Sequence, residues 1–170
     1  KNTRTPFSID FGVGDVIVPK QEKRKIPTQL DDFAAPVVNT YSLETTIAEK
    51  IDAILSLMEF SSRMKDYYDI YYLANKFDFD GKVLTEALKK TFENRGHTFT
   101  IEQFEQVMSF ADDSAMQKKW KAFCRKIDTQ TDDFNTVLKI IEVFLTEPFT
   151  AAVRSNKFTE KWSTANGEWM

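Results

Sequence analysis

Glu44-Thr45-Thr46-Ile47-Ala48-Glu49-Lys50 and Ser62-Arg63-Met64-Lys65-Asp66-Tyr67-Tyr68-Asp69 are the two stretches whose reading decides the fold. Both place charges where helix periodicity predicts core. With Ile47 as the zero of a helical wheel, Leu43, Ile51, Ile54 and Met58 fall on one stripe, and Lys50 lies at its edge between Leu43 and Leu57. Lys50 therefore points inward or along a cleft wall. In the second stretch Ile70, Leu73 and Phe77 make an apolar stripe whose N-terminal extension is occupied by Arg63, Asp66 and Asp69. Charges at core-facing positions are costly unless paired, bound to metal or used in chemistry. Their shared inward orientation predicts that Lys50 and Asp69 face one another across two neighbouring helices.

Working outward, the chain divides near residue 40. Residues 6–19 alternate apolar and polar side chains around Gly12 and Gly14, the pattern of strand, tight bend and strand. Residues 20–40 carry many charges, Pro27 and Pro36 with no period, and read as a connecting loop. From Ser42 onward the pattern is helical. Ser42 can cap a first helix running to about Phe60, with Thr46-x-x-Glu49 a competing capping box. A second helix spans Arg63 to Lys76, and a third runs from Lys82 to Asn94 before Gly96. Thr100-x-x-Gln103 caps a fourth, Ser114 a fifth with Met116, Trp120, Phe123, Cys124 and Ile127 on one face, and Asp133 a sixth that Pro148 stops. The expected fold class is α+β, mainly α: a short β-hairpin followed by a bundle of about six helices, with residues 1–40 and 41–170 as its two parts.

Composition bounds the function. The chain has 170 residues, 42% of them hydrophobic and 14% aromatic, enough to bury a core. Lys and Arg total 23 against 26 Asp and Glu, a net charge of −3, so no global basic field recruits nucleic acid and any polynucleotide contact must come from a local patch. The lone Cys124 excludes an intramolecular disulfide and a cysteine zinc site, which fits a reducing compartment. Without a long apolar run or a charged-then-apolar leader, the expectation is a cytoplasmic protein with no membrane contact.

The ordered motifs Ile9-Asp10-Phe11-Gly12-Val13-Gly14-Asp15, Tyr41 to Lys50 and Ser62 to Ile70 resemble the AbiEii/AbiGii toxin family of nucleotidyltransferases, from bacterial abortive-infection (phage defence) and toxin–antitoxin systems. The likeness extends through Phe79-Asp80-Gly81, Thr91 to Arg95 and the Trp162 to Trp169 stretch. It implies a metal-dependent enzyme that moves a nucleotidyl group from a nucleoside triphosphate to an acceptor such as tRNA or another RNA, with Mg²⁺ or Mn²⁺ as cofactor and a cognate antitoxin protein as partner. The earlier Gly-Gly or Gly-Ser turn and D-x-D or D-x-E pair of that family have no counterpart here. This implies a C-terminal portion, with residues 1–40 a remnant of the polymerase β-like transferase core, and no activity from this portion alone.

By the same resemblance, Asp10 is the metal-proximal carboxylate, Lys50 and Arg63 are nucleotide-binding groups, and Lys50, Asp66 and Asp69 are catalytic. The carboxylates would orient Lys50 or receive a proton from the acceptor hydroxyl. Each residue also has a plainer reading: Asp10 as a strand-edge carboxylate, Lys50 as a lysine snorkelling over apolar surface, and Lys65 with Asp69 and Arg63 with Asp66 as local helix pairs. His97, in Arg95-Gly96-His97-Thr98, reads as a surface histidine, and Cys124 as a buried, inert thiol. Of Tyr67, Tyr68, Tyr71 and Tyr72, two are expected in the core and two at the surface. Lys118, Lys119, Lys121, Arg125 and Lys126 form a dense basic stretch, either a solvated face or a track for an RNA backbone. The alternative to an enzyme is a helical interaction module that keeps the family scaffold without its chemistry.

Overall fold

A computed structural model describes residues 4–9, 14–60, 63–127 and 131–170. Among them the chain forms β1 (Glu22–Lys25), β2 (Val37–Thr40), α1 (Leu43–Leu57), α2 (Met64–Lys76), β3 (Phe79–Asp80), α3 (Gly81–Arg95), α4 (Ile101–Met108), α5 (Ser114–Ile127), α6 (Phe134–Arg154), β4 (Lys161–Ser163) and β5 (Glu168–Trp169). A hairpin followed by six helices is the α+β, mainly α class expected from the sequence.

Local side-chain chemistry starts most helices. Thr45 N–H donates to Ser42 Oγ at 3.1 Å, so α1 is already under way where Thr46 would cap it. Asp80 Oδ1 accepts from the N–H groups of Lys82 and Val83, and Asp133 Oδ1 accepts from Thr136 N–H. Thr100 and Gln103 cap each other's backbone N–H reciprocally at the start of α4. The start of α5 differs from expectation: Asp113 caps it, accepting Met116 N–H at 2.7 Å, and Ser114 is its first residue. At the other end, α1 stops at Leu57, and Met58, at φ 47, opens a 3₁₀ turn over Met58–Phe60. Gly96 ends α3 in the left-handed conformation, at φ 66.

Two expectations are overturned. Among the described residues of the 6–19 stretch there is no strand; the hairpin lies instead at β1 and β2, inside the stretch read as loop. Its ladder pairs Glu22 with Thr40 and Lys25 with Val37, and the two prolines sit beyond the ladder's end, where Ile26 N–H still donates to the Pro36 carbonyl at 3.0 Å. Prolines at the loop end of a ladder limit it without preventing it. Likewise Pro148 does not stop α6, which continues to Arg154. Proline has no N–H for the carbonyl four residues back, Phe144, and that carbonyl instead accepts the indole N–H of Trp169 at 3.0 Å. The tertiary structure satisfies the group that proline orphans.

The core is built around α6, which packs on α2, α3 and α4, while α1 packs on α2 and α3. Ile47, Ile51, Tyr67, Ile70, Leu84, Leu88, Ile141, Phe144 and Phe149 are fully buried. Phe149 stacks on Phe104 with centroids 4.8 Å apart and meets Phe92 edge-on at 5.9 Å. The antiparallel sheet β3-β4-β5 closes one end, with Phe144 against Phe79, Trp162 and Trp169. Residues 14–18 are tied to the other end. Val18 N–H donates to Thr45 Oγ1 at 2.8 Å, Ser42 Oγ donates to the Val18 carbonyl, and Asn94 Nδ2 donates to the Gly14 carbonyl at 3.0 Å.

Candidate functional site

Lys50 leaves α1 toward α2 and meets two carboxylates. Its Nζ lies 3.0 Å from Asp66 Oδ1 and 2.6 Å from Asp69 Oδ2. Asp66 and Asp69 are three residues apart, so one face of α2 presents both. The helix-to-helix pairing of Lys50 with Asp69 is therefore as the periodicity predicted. The local pairs form at the same time: Arg63 Nε lies 2.7 Å from Asp66 Oδ2, and Lys65 Nζ lies 2.6 Å from Asp69 Oδ2. Lys65 is on the solvent side with 71% of its side chain exposed, whereas Asp66 is 4% exposed. The two readings of these residues, local pairs and a convergent site, describe one network.

The network lines a cavity of ≈ 220 Å³ bounded by Tyr41, Thr46, Glu49, Ala53, Arg95 and the Lys50, Arg63 and Asp66 group. Thr46, Glu49, Lys50 and Ala53 share one face of α1. Burial works to lower the Lys50 pKa, but its hydrogen bonds to Asp69 and Asp66, with their charges, outweigh it and hold the ammonium above the usual lysine range. Lys50 is a fixed cation at any physiological pH.

Asp52, Glu49, Arg95 and His97, to which the sequence reading gave no role in the site, adjoin it. Asp52 is fully buried on α1, and its carboxylate takes Arg95 Nη1 and His97 Nδ1, each at 2.8 Å. Arg95 also pairs with Glu49, and so ties the end of α3 to α1 beside the cavity. Burial pushes the Asp52 carboxyl up, and its contact with His97 works against that. His97 is exposed, as the sequence reading expected, and it also partners a buried acid. The signal was present, since Thr45, Ala48, Asp52 and Leu55 recur at spacings of three and four, a second buried stripe on α1. Tyr41, at the cavity's edge, donates its hydroxyl to Asp15, which with burial raises the Tyr41 pKa.

Asp10 lies outside the described residues. Among the described residues no group of three His, Cys, Asp or Glu side chains is placed to hold a metal ion. Asp66 and Asp69 are already engaged by Lys50, Arg63 and Lys65. Carboxylates already paired with lysine and arginine do not fit a metal. Elsewhere, Tyr67 is buried, Tyr68 and Tyr71 are half-buried and Tyr72 is 47% exposed. Cys124 is half-buried rather than buried, and desolvation raises its thiol pKa. No helix among the described residues is long and apolar enough to cross a membrane.

Lysine and arginine side chains paired with carboxylates therefore line a small cavity between the helices of an α+β scaffold. The chain belongs to the AbiEii family: the model described as "Nucleotidyl transferase AbiEii toxin, Type IV TA system" matches residues 1–152. The match contains both charged motifs, Arg95 and His97, and ends before the Trp162–Trp169 stretch. Membership in a type IV toxin–antitoxin family implies an antitoxin partner. No curated protein and no solved structure matches the chain.

Proposed function

We propose that this chain supplies the helical half of a nucleotidyltransferase site, in which Lys50, Arg63 and Arg95 bind the phosphates of a nucleoside triphosphate whose nucleotidyl group passes to an acceptor such as tRNA or another RNA. The observation that carries this reading is the convergence of these three cations on one cavity, with Lys50 locked between Asp66 and Asp69. Whole small-molecule ligands occupy cavities of roughly 300–1,000 Å³. A cavity of ≈ 220 Å³ suits the phosphates, with sugar and base outside. Transfer builds negative charge on the departing pyrophosphate, and cations already held in place stabilise it without rearranging. Asp69 Oδ2 touches both Lys50 and Lys65, which favours an orienting role over proton acceptance. The expected Mg²⁺ or Mn²⁺ rests on Asp10 and family membership; the described residues carry no step through it.

The test is calorimetric binding of each nucleoside triphosphate, with Mg²⁺ or Mn²⁺ present, to the protein and to its Lys50→Ala and Asp69→Ala variants. Binding by the parent that is lost in both folded variants supports the site. Binding that survives in both removes these residues from it. No binding by the parent favours the other reading, an interaction module. That reading has its own observation, because Phe7, Ile9, Leu30, Phe33 and Val37 leave apolar side chains exposed in the first forty residues.

A further inference from the structure

Asp52 is an acid where packing alone asks for an apolar side chain. It is fully buried, on the α1 stripe that also buries Ala48 and Leu55. Its partners, Arg95 and His97, flank the C-terminus of α3, the end of a helix whose partial negative charge disfavours a carboxylate. A buried ion pair is in general no more stabilising than well-packed apolar residues of similar volume. The carboxylate therefore points to a task other than stability.

Gly96 assembles the arrangement. At φ 66 it reverses the chain after α3, with Gly96 N–H donating to the Glu93 carbonyl at 3.2 Å and His97 N–H to the Phe92 carbonyl at 3.0 Å. The side chains on either side of it reach the same carboxylate. Arg95 Nη1 lies 2.8 Å from Asp52 Oδ2, and His97 Nδ1 lies 2.8 Å from Oδ1. The imidazole is fixed in turn, because Ser56 Oγ lies 3.3 Å from Nδ1 and the Phe99 ring meets it edge-on at 5.5 Å. With both oxygens engaged, the carboxylate cannot rotate without breaking a contact.

Arg95 carries this constraint to the cavity of ≈ 220 Å³, which it lines together with Lys50 and Arg63. Asp52 does not line that cavity; it stands behind the wall. The guanidinium has five N–H donors in a rigid fork, and Nη1 is held by Asp52 while Nη2 is held by Glu49. Glu49 itself lines the cavity, so Asp52 is the anchor that a ligand would not touch.

We propose that Asp52 is a positioning residue: from behind the cavity wall it fixes the direction of Arg95 so that the remaining guanidinium donors meet a phosphate, while His97 pins the other carboxylate oxygen. The phosphate in this statement rests on the triphosphate-binding reading; the hold on Arg95 rests on geometry alone.

The test is a double-mutant cycle on the binding of inorganic triphosphate, followed by calorimetry, with Asp52→Leu and Arg95→Met alone and combined. Leucine suits the buried stripe, so Asp52→Leu should melt cooperatively, and Asp52→Asn serves as a second variant that keeps the side chain's shape. Each Asp52 variant should weaken triphosphate binding about tenfold or more, the scale of loss from a misplaced binding group. With Arg95→Met already present, the same change should alter affinity by less than about twofold, because Asp52 acts only through Arg95. A merely structural Asp52 would instead lower affinity by the same factor in both backgrounds. That result overturns the proposal, as does full affinity in the folded Asp52 variants.

The Nε–Hε resonance of Arg95, assigned by its loss in Arg95→Met, reads the hold with no phosphate present. It should stand apart from those of free arginines in the parent and join them in Asp52→Leu; an unmoved resonance also overturns the proposal. A resonance released by Asp52→Leu in a protein that binds no triphosphate keeps the hold on Arg95 and removes the phosphate-binding reading. Triphosphate binding that is indifferent to Asp52 does the reverse.

Discussion

Lys50 illustrates how a charge is made permanent at a half-buried position. Two carboxylates raise its pKa, so the folded state holds that proton more tightly than the unfolded chain does. The resulting stability is fully present below the ordinary lysine value of 10.5 and is lost as pH rises through the raised folded value. Lys50→Met should therefore cost about 1–3 kcal/mol at neutral pH, by leaving Asp66 short of a donor. In thermal melts the gap between parent and variant should stay constant through mildly alkaline pH and close above 10.5; a gap that closes below that value assigns the loss to another group. The Lys50 to Asp69 pairing was legible from helix periodicity because both residues lie on seam positions of adjacent helices. Arg95 and His97 were not, because their partner Asp52 is reached only when the end of α3 folds back over α1.

At the scale of the element, helix starts were readable and helix ends were less so. Ser42, Thr100 and Asp133 cap with atoms within three residues of the groups they bind, so sequence spacing suffices to find them. Pro148 is different: its cost inside α6 depends on Trp169, twenty-one positions further along the chain and donating to the Phe144 carbonyl. Trp169→Phe should destabilise by roughly 1–3 kcal/mol, since it keeps an aromatic ring but orphans that buried carbonyl. Pro148→Ala supplies a backbone N–H in place. In that background the cost of Trp169→Phe should fall by about 1 kcal/mol, measured as a double-mutant cycle in urea. Strictly additive costs would mean that the indole N–H does not replace the missing helix bond.

Across the whole molecule, one helix organises the packing. Phe149 has no exposure and contacts the rings of Phe104 and Phe92, joining α6 to α4 and α3. Phe149→Ala should cost about 3–5 kcal/mol in denaturant unfolding, the range for a large ring whose site cannot collapse. A loss under about 1 kcal/mol would show that the neighbouring rings close the gap. The cavity depends on this core indirectly: Lys50 comes from α1, Arg63 from just before α2 and Arg95 from the end of α3, and α1 packs on α3 while α2 packs on α6. Gly81 marks a similarly tight joint, since a Cβ there would lie 2.6 Å from the Glu160 carbonyl oxygen. Gly81→Ala should lower the melting temperature, because that neighbour is backbone and has little room to give; an unchanged melting temperature would show that the backbone at Glu160 shifts freely.

The amino-acid sequence by itself determined the helical class, most helix starts and the inward-facing Lys50, Asp66 and Asp69. These follow from 3.6-residue periodicity and from side chains that bind their own neighbouring backbone, and such short-range physics needs no knowledge of the rest of the chain. Tertiary structure alone decided where the hairpin formed, that Pro148 lies within a continuous helix, and that Asp52, Glu49, Arg95 and His97 join the site. In each of these a polar group is satisfied by a residue far along the chain, and only the packed arrangement of helices brings that partner within hydrogen-bonding distance.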